Sequence, residues 1–186
     1  IESLLKKCDK ILIGGAMAYT FAKALGHTTG TSPVEDEQLD YARRCLDQAK
    51  GKIVLPVDSK CSDAFEGWTS VLVTADNNIP GDMQGMDIGP RTVELFQNEI
   101  AKAKMIFWNG PMGVFEQSEF QTGTVAVCKA IADLKDAFTV CGGGDSAAAV
   151  KQFGYKDKFS HVSTGGGASL EMIENDGHLP GIDVLK

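Results

Sequence analysis

Three segments of this sequence join a short apolar run to glycines and then to small residues: ILIGGAMA (Ile11–Ala18), TVCGGGDSAA (Thr139–Ala148) and HVSTGGGASL (His161–Leu170). A helix that opens on glycine leaves its first backbone N–H groups pointing outward, at the positive end of the helix dipole. That is a ready anion site, and phosphate is its commonest occupant. Glycine also lets a strand and a helix pack closely, and for one junction the two readings weigh evenly. Three junctions, two of them with three successive glycines, tilt the balance to phosphate.

The kind of phosphate ligand is narrowed by what surrounds the glycines. No GxxxxGK[ST] run occurs, so a P-loop is excluded. Gly142, Gly144 and Ala147 match the GxGxxA dinucleotide pattern, but the next expected strand ends at Ser163 with no acidic residue for a ribose. A Rossmann-type NAD-binding oxidoreductase therefore stands as the alternative. Asp145 discriminates better: a carboxylate facing phosphates is repelled unless a metal lies between them, and an aspartate beside a polyphosphate is a common Mg2+ ligand. Taken alone, Asp145 reads as a residue stabilising its own helix; next to three glycines it reads as magnesium chemistry. A fourth element, MIFWNGPMGVFE (Met105–Glu116), runs from a strand into turn residues. There Asn109 can hydrogen-bond at the strand end, Pro111 and Gly113 shape the loop, and Glu116 can accept from sugar hydroxyls.

These residues need elements to hold them. Apolar runs predict strands near Lys10–Ile13, Ile53–Val57, Ser70–Ala75, Met105–Trp108, Phe138–Cys141 and His161–Ser163. Amphipathic stretches predict helices near Ala16–Leu25, Glu35–Lys50, Pro90–Lys102, Phe120–Leu134, Ser146–Phe153 and Ala168–Glu174. Short apolar strands alternating with helices predict an α/β fold: a Rossmann-like three-layer α/β/α domain with a mostly parallel sheet of about six strands. All three glycine junctions should then lie at the carboxyl edge of one sheet, where open α/β folds bind ligands. Ser32, Pro33 and Glu35 read as a capping box that starts the second helix, and the acidic run VEDEQLD that follows reads as a solvated face.

Composition limits the partners. The net charge is −7 with no basic stripe, which argues against nucleic acid or an anionic membrane as partner. Glycine, at 21 of 186 residues, exceeds the usual ~7%, and the excess is clustered. Cys8, Cys45, Cys61, Cys128 and Cys141 form no CxxC, and His27, His161 and His178 lie next to no cysteine at metal-ligand spacing, so reduced thiols are expected and a zinc site is not. No apolar run is long enough to span a membrane. Ile1, Leu4, Leu5 and Cys8 already follow helical spacing with no capping residue before them, so a piece of a longer protein, spanning 1–186 as one domain, is expected.

WNGPMGVFE, GGGDS and VSTGGGASLE, in this order and spacing, resemble the C-terminal half of phosphoglycerate kinase. IGGAMAYTF, LPVDS (Leu55–Ser59), IPGDMQGMDIGP (Ile79–Pro90) and the terminal LPGIDVL extend the likeness over essentially the whole chain. The resemblance implies a domain that binds MgADP or MgATP, while an N-terminal domain absent here binds 1,3-bisphosphoglycerate or 3-phosphoglycerate. It implies an adenine slot formed by Gly14, Gly15, Gly85, Met86 and Val114, with Glu116 on the ribose and Asn109 and Pro111 on the phosphate side. Asp145 is expected at Mg2+ and Ser146 at the phosphate chain. Gly143 and Gly144, with Gly165, Gly166 and Gly167, are expected to donate N–H groups to the transferring phosphoryl. A cytoplasmic glycolytic enzyme, monomeric at full length, is implied as well.

Ala16 stands where the family often has glycine, Ser146 where threonine is common, and Met86 where leucine is common; each change keeps the shape or the hydroxyl. The family's two functional lysines precede residue 1, and its arginine and histidine cluster lies in the other half. Lys6 and Lys7 are not candidates for those roles and read as an exposed helix face. Nucleotide binding without turnover is the expectation for this chain alone. An interaction domain whose glycines only pack is the third possibility.

Overall fold

A computed structural model describes residues 2–164, the side chains of Glu2 and Ser3 excepted. The expected helix near Ala168–Glu174, Gly165, Gly166 and Gly167, and the terminal LPGIDVL lie outside the described residues. Helix α1 (Glu2–Lys7) leads to β1 (Ile11–Leu12), α2 (Ala16–Ala24) and α3 (Leu39–Ala49), the last preceded by a 3-10 turn at Asp36–Gln38. Then come β2 (Ile53–Val54), β3 (Ser59–Ser62), β4 (Val71–Val73) and β5 (Gln84–Ile88). The second half runs α4 (Pro90–Ala101), β6 (Met105–Trp108), a 3-10 turn (Ser118–Phe120), α5 (Thr122–Ala132), β7 (Phe138–Gly142), α6 (Gly144–Gln152) and β8 (His161–Ser163).

Strands β1 and β2 pair in parallel, as do β6, β7 and β8 with β7 in the centre. The two-residue period of a strand explains how helices cover both faces. Ile11, Ile13, Ile53 and Leu55 pack with Ala18, Phe21 and Ala24 of α2 and with Ala42 and Cys45 of α3. Leu12 and Val54, pointing the other way, pack into the larger cluster that holds Phe96, Ile100, Val127, Cys128, Ile131, Ala149 and Val150 from α4, α5 and α6. The α/β class and its layering are therefore as the alternating pattern predicts.

The sheet itself differs from expectation. The described residues hold eight strands in three hydrogen-bonded sheets, not about six in one. The third sheet is antiparallel, with β3 between β4 and β5, so the strand expected near Ser70–Ala75 belongs to a hairpin and not to the parallel layer. Strand β3 is SKCS and carries no apolar alternation. The Ser59 N–H donates to Thr74 Oγ1, just past β4, at 2.9 Å, and the Ser62 hydroxyl donates to the Ala64 carbonyl at 2.6 Å; pairing with β4 and β5 makes it a strand.

The capping box at Ser32 is also corrected. The hydroxyl of Ser32 accepts the Gly85 N–H at 2.8 Å and is buried, and the turn before α3 starts only at Asp36. The N–H of Glu35 donates to Thr20 Oγ1 at 3.1 Å. A local cap lost to a long-range bond that a sequence window does not contain. The five cysteines are free, and all but Cys8 are buried. Among the described residues no helix is long and apolar enough to cross a membrane.

Candidate functional site

Strand β7 delivers its chain end directly into α6, and the turn between them has φ +98° at Gly143, a conformation that L side chains rarely adopt. The first turn closes with the Ala147 N–H donating to the Gly143 carbonyl at 2.9 Å. The preceding N–H groups have no intrahelical acceptor, as at any helix start, and no side chain caps this one. Gly144 is exposed, and a Cβ built there would meet no described residue within 4 Å. Packing against the described residues therefore does not require glycine at that position. Asp145 follows in the first helical turn, exposed, with no hydrogen-bond partner on its carboxylate among the described residues.

Ser146 is 1% exposed, and its hydroxyl accepts the Gly110 N–H at 2.5 Å. The expected phosphate-side residue thus ties α6 to the loop after β6, and its side chain faces protein. That loop carries Asn109, exposed, and Pro111, half-buried. Its next residue, Met112, covers the first junction: a Cβ on Gly14 would lie 2.5 Å from Met112 Sδ, and one on Gly15, whose φ is +70°, would lie 3.0 Å from the Pro111 carbonyl oxygen. The first and second glycine junctions thus meet through residues 109–113, although β1 and β7 belong to different hydrogen-bonded sheets.

The loop continues to Val114, half-buried, whose N–H donates to the Met86 carbonyl at 2.8 Å, and to the exposed Glu116. Of the residues expected around an adenine, Gly85 is buried with its Cα facing the ring of Tyr19, and Met86 is 1% exposed. Neither forms an open wall in this structure, because Tyr19 and the loop fill the space. Among the described residues, open apolar surface lies between α2 and the segment leading into α3. A groove of about 530 Å3, lined by Ala16, Met17, Phe21, Pro33, Val34 and Tyr41, starts one residue beyond Gly15.

Two side chains that sequence reasoning did not single out organise this region. Gln117, next to Glu116, accepts the Trp68 indole N–H on Oε1 at 2.9 Å and donates from Nε2 to the Phe65 carbonyl at 2.8 Å. This holds the β3–β4 hairpin beside the loop, with Trp68 also edge-on to Phe120. The other is Tyr19, which reads as one more core aromatic in an amphipathic helix. No local signal marks either, since both act across long sequence separations.

An α/β domain whose glycine-opened helices and proline–glycine loop converge at the ends of parallel strands has the architecture of open α/β proteins that bind ligands at that edge. Comparison with known proteins narrows the class. The phosphoglycerate kinase family model matches residues 1–176, and the chain belongs to that family. Phosphoglycerate kinases of Macrococcus caseolyticus and Enterococcus faecalis are each 54% identical over 182 residues, covering 98% of this chain and 46% of theirs. The chain spans about half the length of these relatives. Among solved structures, phosphoglycerate kinase from Coxiella burnetii superposes with a TM-score of 0.91 at 39% identity, over 100% of this chain and 48% of that one. The enzyme from Pyrococcus horikoshii gives 0.82 at 34% identity, over 99% and 47%.

Proposed function

We propose that this chain is the C-terminal, nucleotide-binding half of a cytoplasmic phosphoglycerate kinase, and that it binds MgADP and MgATP but does not turn over alone. In the complete enzyme, a β-phosphate oxygen of ADP attacks the phosphorus of the acyl phosphate of 1,3-bisphosphoglycerate. The bond from phosphorus to the acyl oxygen breaks, leaving ATP and the carboxylate of 3-phosphoglycerate. The single observation that carries the reading is Gly144: an exposed glycine in the first turn of α6 whose missing side-chain position no described residue fills. Family membership adds weight and favours a kinase over an oxidoreductase for the Gly142, Gly144, Ala147 pattern.

In this reading the N–H groups of Gly143 and Gly144, joined by those of Gly165, Gly166 and Gly167, face the phosphoryl in transit. Charge on that group needs positioned donors more than covalent chemistry. Asp145 fits a magnesium ion held chiefly by the nucleotide's own phosphates: it offers one exposed carboxylate with no competing hydrogen bond among the described residues. Bound magnesium would offset phosphate charge there. Ser146 keeps Asn109 and Pro111 close to the phosphate side through its bond to Gly110. Glu116 serves the ribose and Val114 the base, for which the groove beyond Gly15 also offers apolar surface.

The test is calorimetric titration of the purified chain with ADP, with and without Mg2+, alongside Asp145→Ala. Wild type is expected to bind, and the substitution to weaken mainly the magnesium-dependent part. Absence of nucleotide binding by wild type overturns the proposal. A steady-state kinase rate from this chain alone overturns the part concerning turnover.

A further inference from the structure

Behind the loop that carries Val114 and Glu116 sits a carboxylate to which the proposed reaction gives no role. Asp87, in β5, is 2% exposed. Its Oδ1 accepts the Ile88 N–H at 2.8 Å, and its Oδ2 accepts the Gly123 N–H, in the first turn of α5, at 2.9 Å. Two glycines make room for it. A Cβ on Gly113 would lie 2.6 Å from Oδ1 and 2.7 Å from the Asp87 Cα, and one on Gly123 would collide with Oδ1. One residue earlier in β5, the Met86 carbonyl takes the Val114 N–H. Met86 and Asp87 therefore hold the segment 113–123 near both of its ends.

The charged and titratable groups around Asp87 do not neutralise it directly. Lys60 of β3 lowers its carboxyl only weakly, because that ammonium pairs with the Glu119 carboxylate at 2.9 Å and donates to the Glu119 carbonyl at 2.7 Å. Cys61 of β3 and Tyr19 of α2 are both held neutral by burial, the thiol pushed up to about 11 and the phenol raised. Burial pushes the Asp87 carboxyl up to about 7, against the pull of its two N–H donors and of Lys60. An uncompensated buried carboxylate is costly, and a neutral side chain of the same shape would avoid that cost.

We propose that Asp87 is a positioning residue for the nucleotide site, its carboxylate holding the segment 113–123 in the shape that presents Val114 and Glu116 to the nucleoside. This rests on the nucleotide-binding reading above. Only the ionised carboxylate offers a charge-assisted acceptor to both N–H groups; the neutral acid keeps a hydroxyl oxygen that accepts more weakly, and asparagine sets a donor against one of them. Protonation should therefore loosen the loop without weakening the fold. Between the ordinary carboxyl value of 3.8 and about 7 the folded state keeps a proton that the unfolded chain has released. Stability from this group is accordingly higher at the acid end of that window and falls as pH rises through it.

The experiment compares MgADP affinity of wild type and Asp87→Asn across a pH series, the ratio of the two cancelling the titration of the nucleotide itself. We expect the variant to bind about tenfold more weakly above pH ~8, for the loss of one charge-assisted bond, and the ratio to shrink below pH ~6 as wild type loses that charge. A ratio that stays at one, or that does not change with pH, overturns the inference while leaving the nucleotide reading intact. Failure of wild type to bind at any pH overturns both. Amide hydrogen exchange without nucleotide tests the holding contact separately. Protection at Val114 and Gly123, corrected for intrinsic rates, should fall in wild type as pH drops from ~8 to ~6 while β6 and β7 stay protected. That wild-type measurement stands even if the variant does not fold, and unchanged protection overturns the inference.

Discussion

The junctions at Gly14–Gly15 and Gly143–Gly144 share one sequence grammar and have opposite surroundings. At the first, the missing Cβ atoms make room for the protein's own loop, Met112 against Gly14 and the Pro111 carbonyl against Gly15. At the second, Gly143 is needed for its left-handed φ, but Gly144 meets no described residue. A run of glycines states only that a side chain is unwelcome there. Whether protein or ligand takes the space is decided by what the fold brings opposite. Here the loop 109–113 fills one junction and, through the bond from Gly110 to Ser146, borders the other without closing it.

That contrast can be broken by substitution. Gly113→Ala should cost most, about 3 kcal/mol, because the new methyl meets the backbone of Met86 and Asp87, which cannot swing away. Chemical denaturation measures it, and a loss under about 1 kcal/mol would show that the loop yields more easily than its packing indicates. Gly14→Ala should cost less, about 1–2 kcal/mol, since the atoms in the way belong to the thioether end of Met112. Ser146→Ala, which leaves the Gly110 N–H without its acceptor, should cost about 1 kcal/mol and speed amide exchange at Gly110. Gly144→Ala sharpens the comparison most while changing stability least, within about 0.5 kcal/mol, because its methyl meets no described residue. Its MgADP affinity should nonetheless fall about tenfold, as calorimetry would read, if phosphate uses that space. A stable variant with unchanged affinity would show that phosphate does not use that space.

Much of this was legible in the sequence where the signal is local. The strands Met105–Trp108 and His161–Ser163 stand as their apolar runs predict, and α4 begins at Pro90, where proline suits a first helical position. The strand β3 was not legible, because SKCS has strand geometry only by pairing on both sides with β4 and β5. Ser32 was misread for a related reason: its hydroxyl has a local use as a cap and a distant use at Gly85, and the distant one wins. Of the expected site residues, Gly143, Gly144, Asp145, Asn109 and Glu116 stand accessible or partly so, whereas Gly85, Met86 and the Ser146 hydroxyl are enclosed. Gln117 and Asp87, which hold the loop in place, carry no mark in their own neighbourhoods.

The sequence alone determined what depends on a few consecutive residues: the alternation of apolar strands and amphipathic helices, the helix starts that glycine and proline favour, and the ordered motifs that place the chain in its family. Only the tertiary structure decided which glycines are filled, which polar groups find partners and where the antiparallel sheet forms. The physical reason is range. Backbone conformation and strand periodicity act over a handful of residues, while a buried hydroxyl or carboxylate is satisfied by donors that lie far off in the chain, such as the Gly123 N–H at Asp87 and the Gly110 N–H at Ser146.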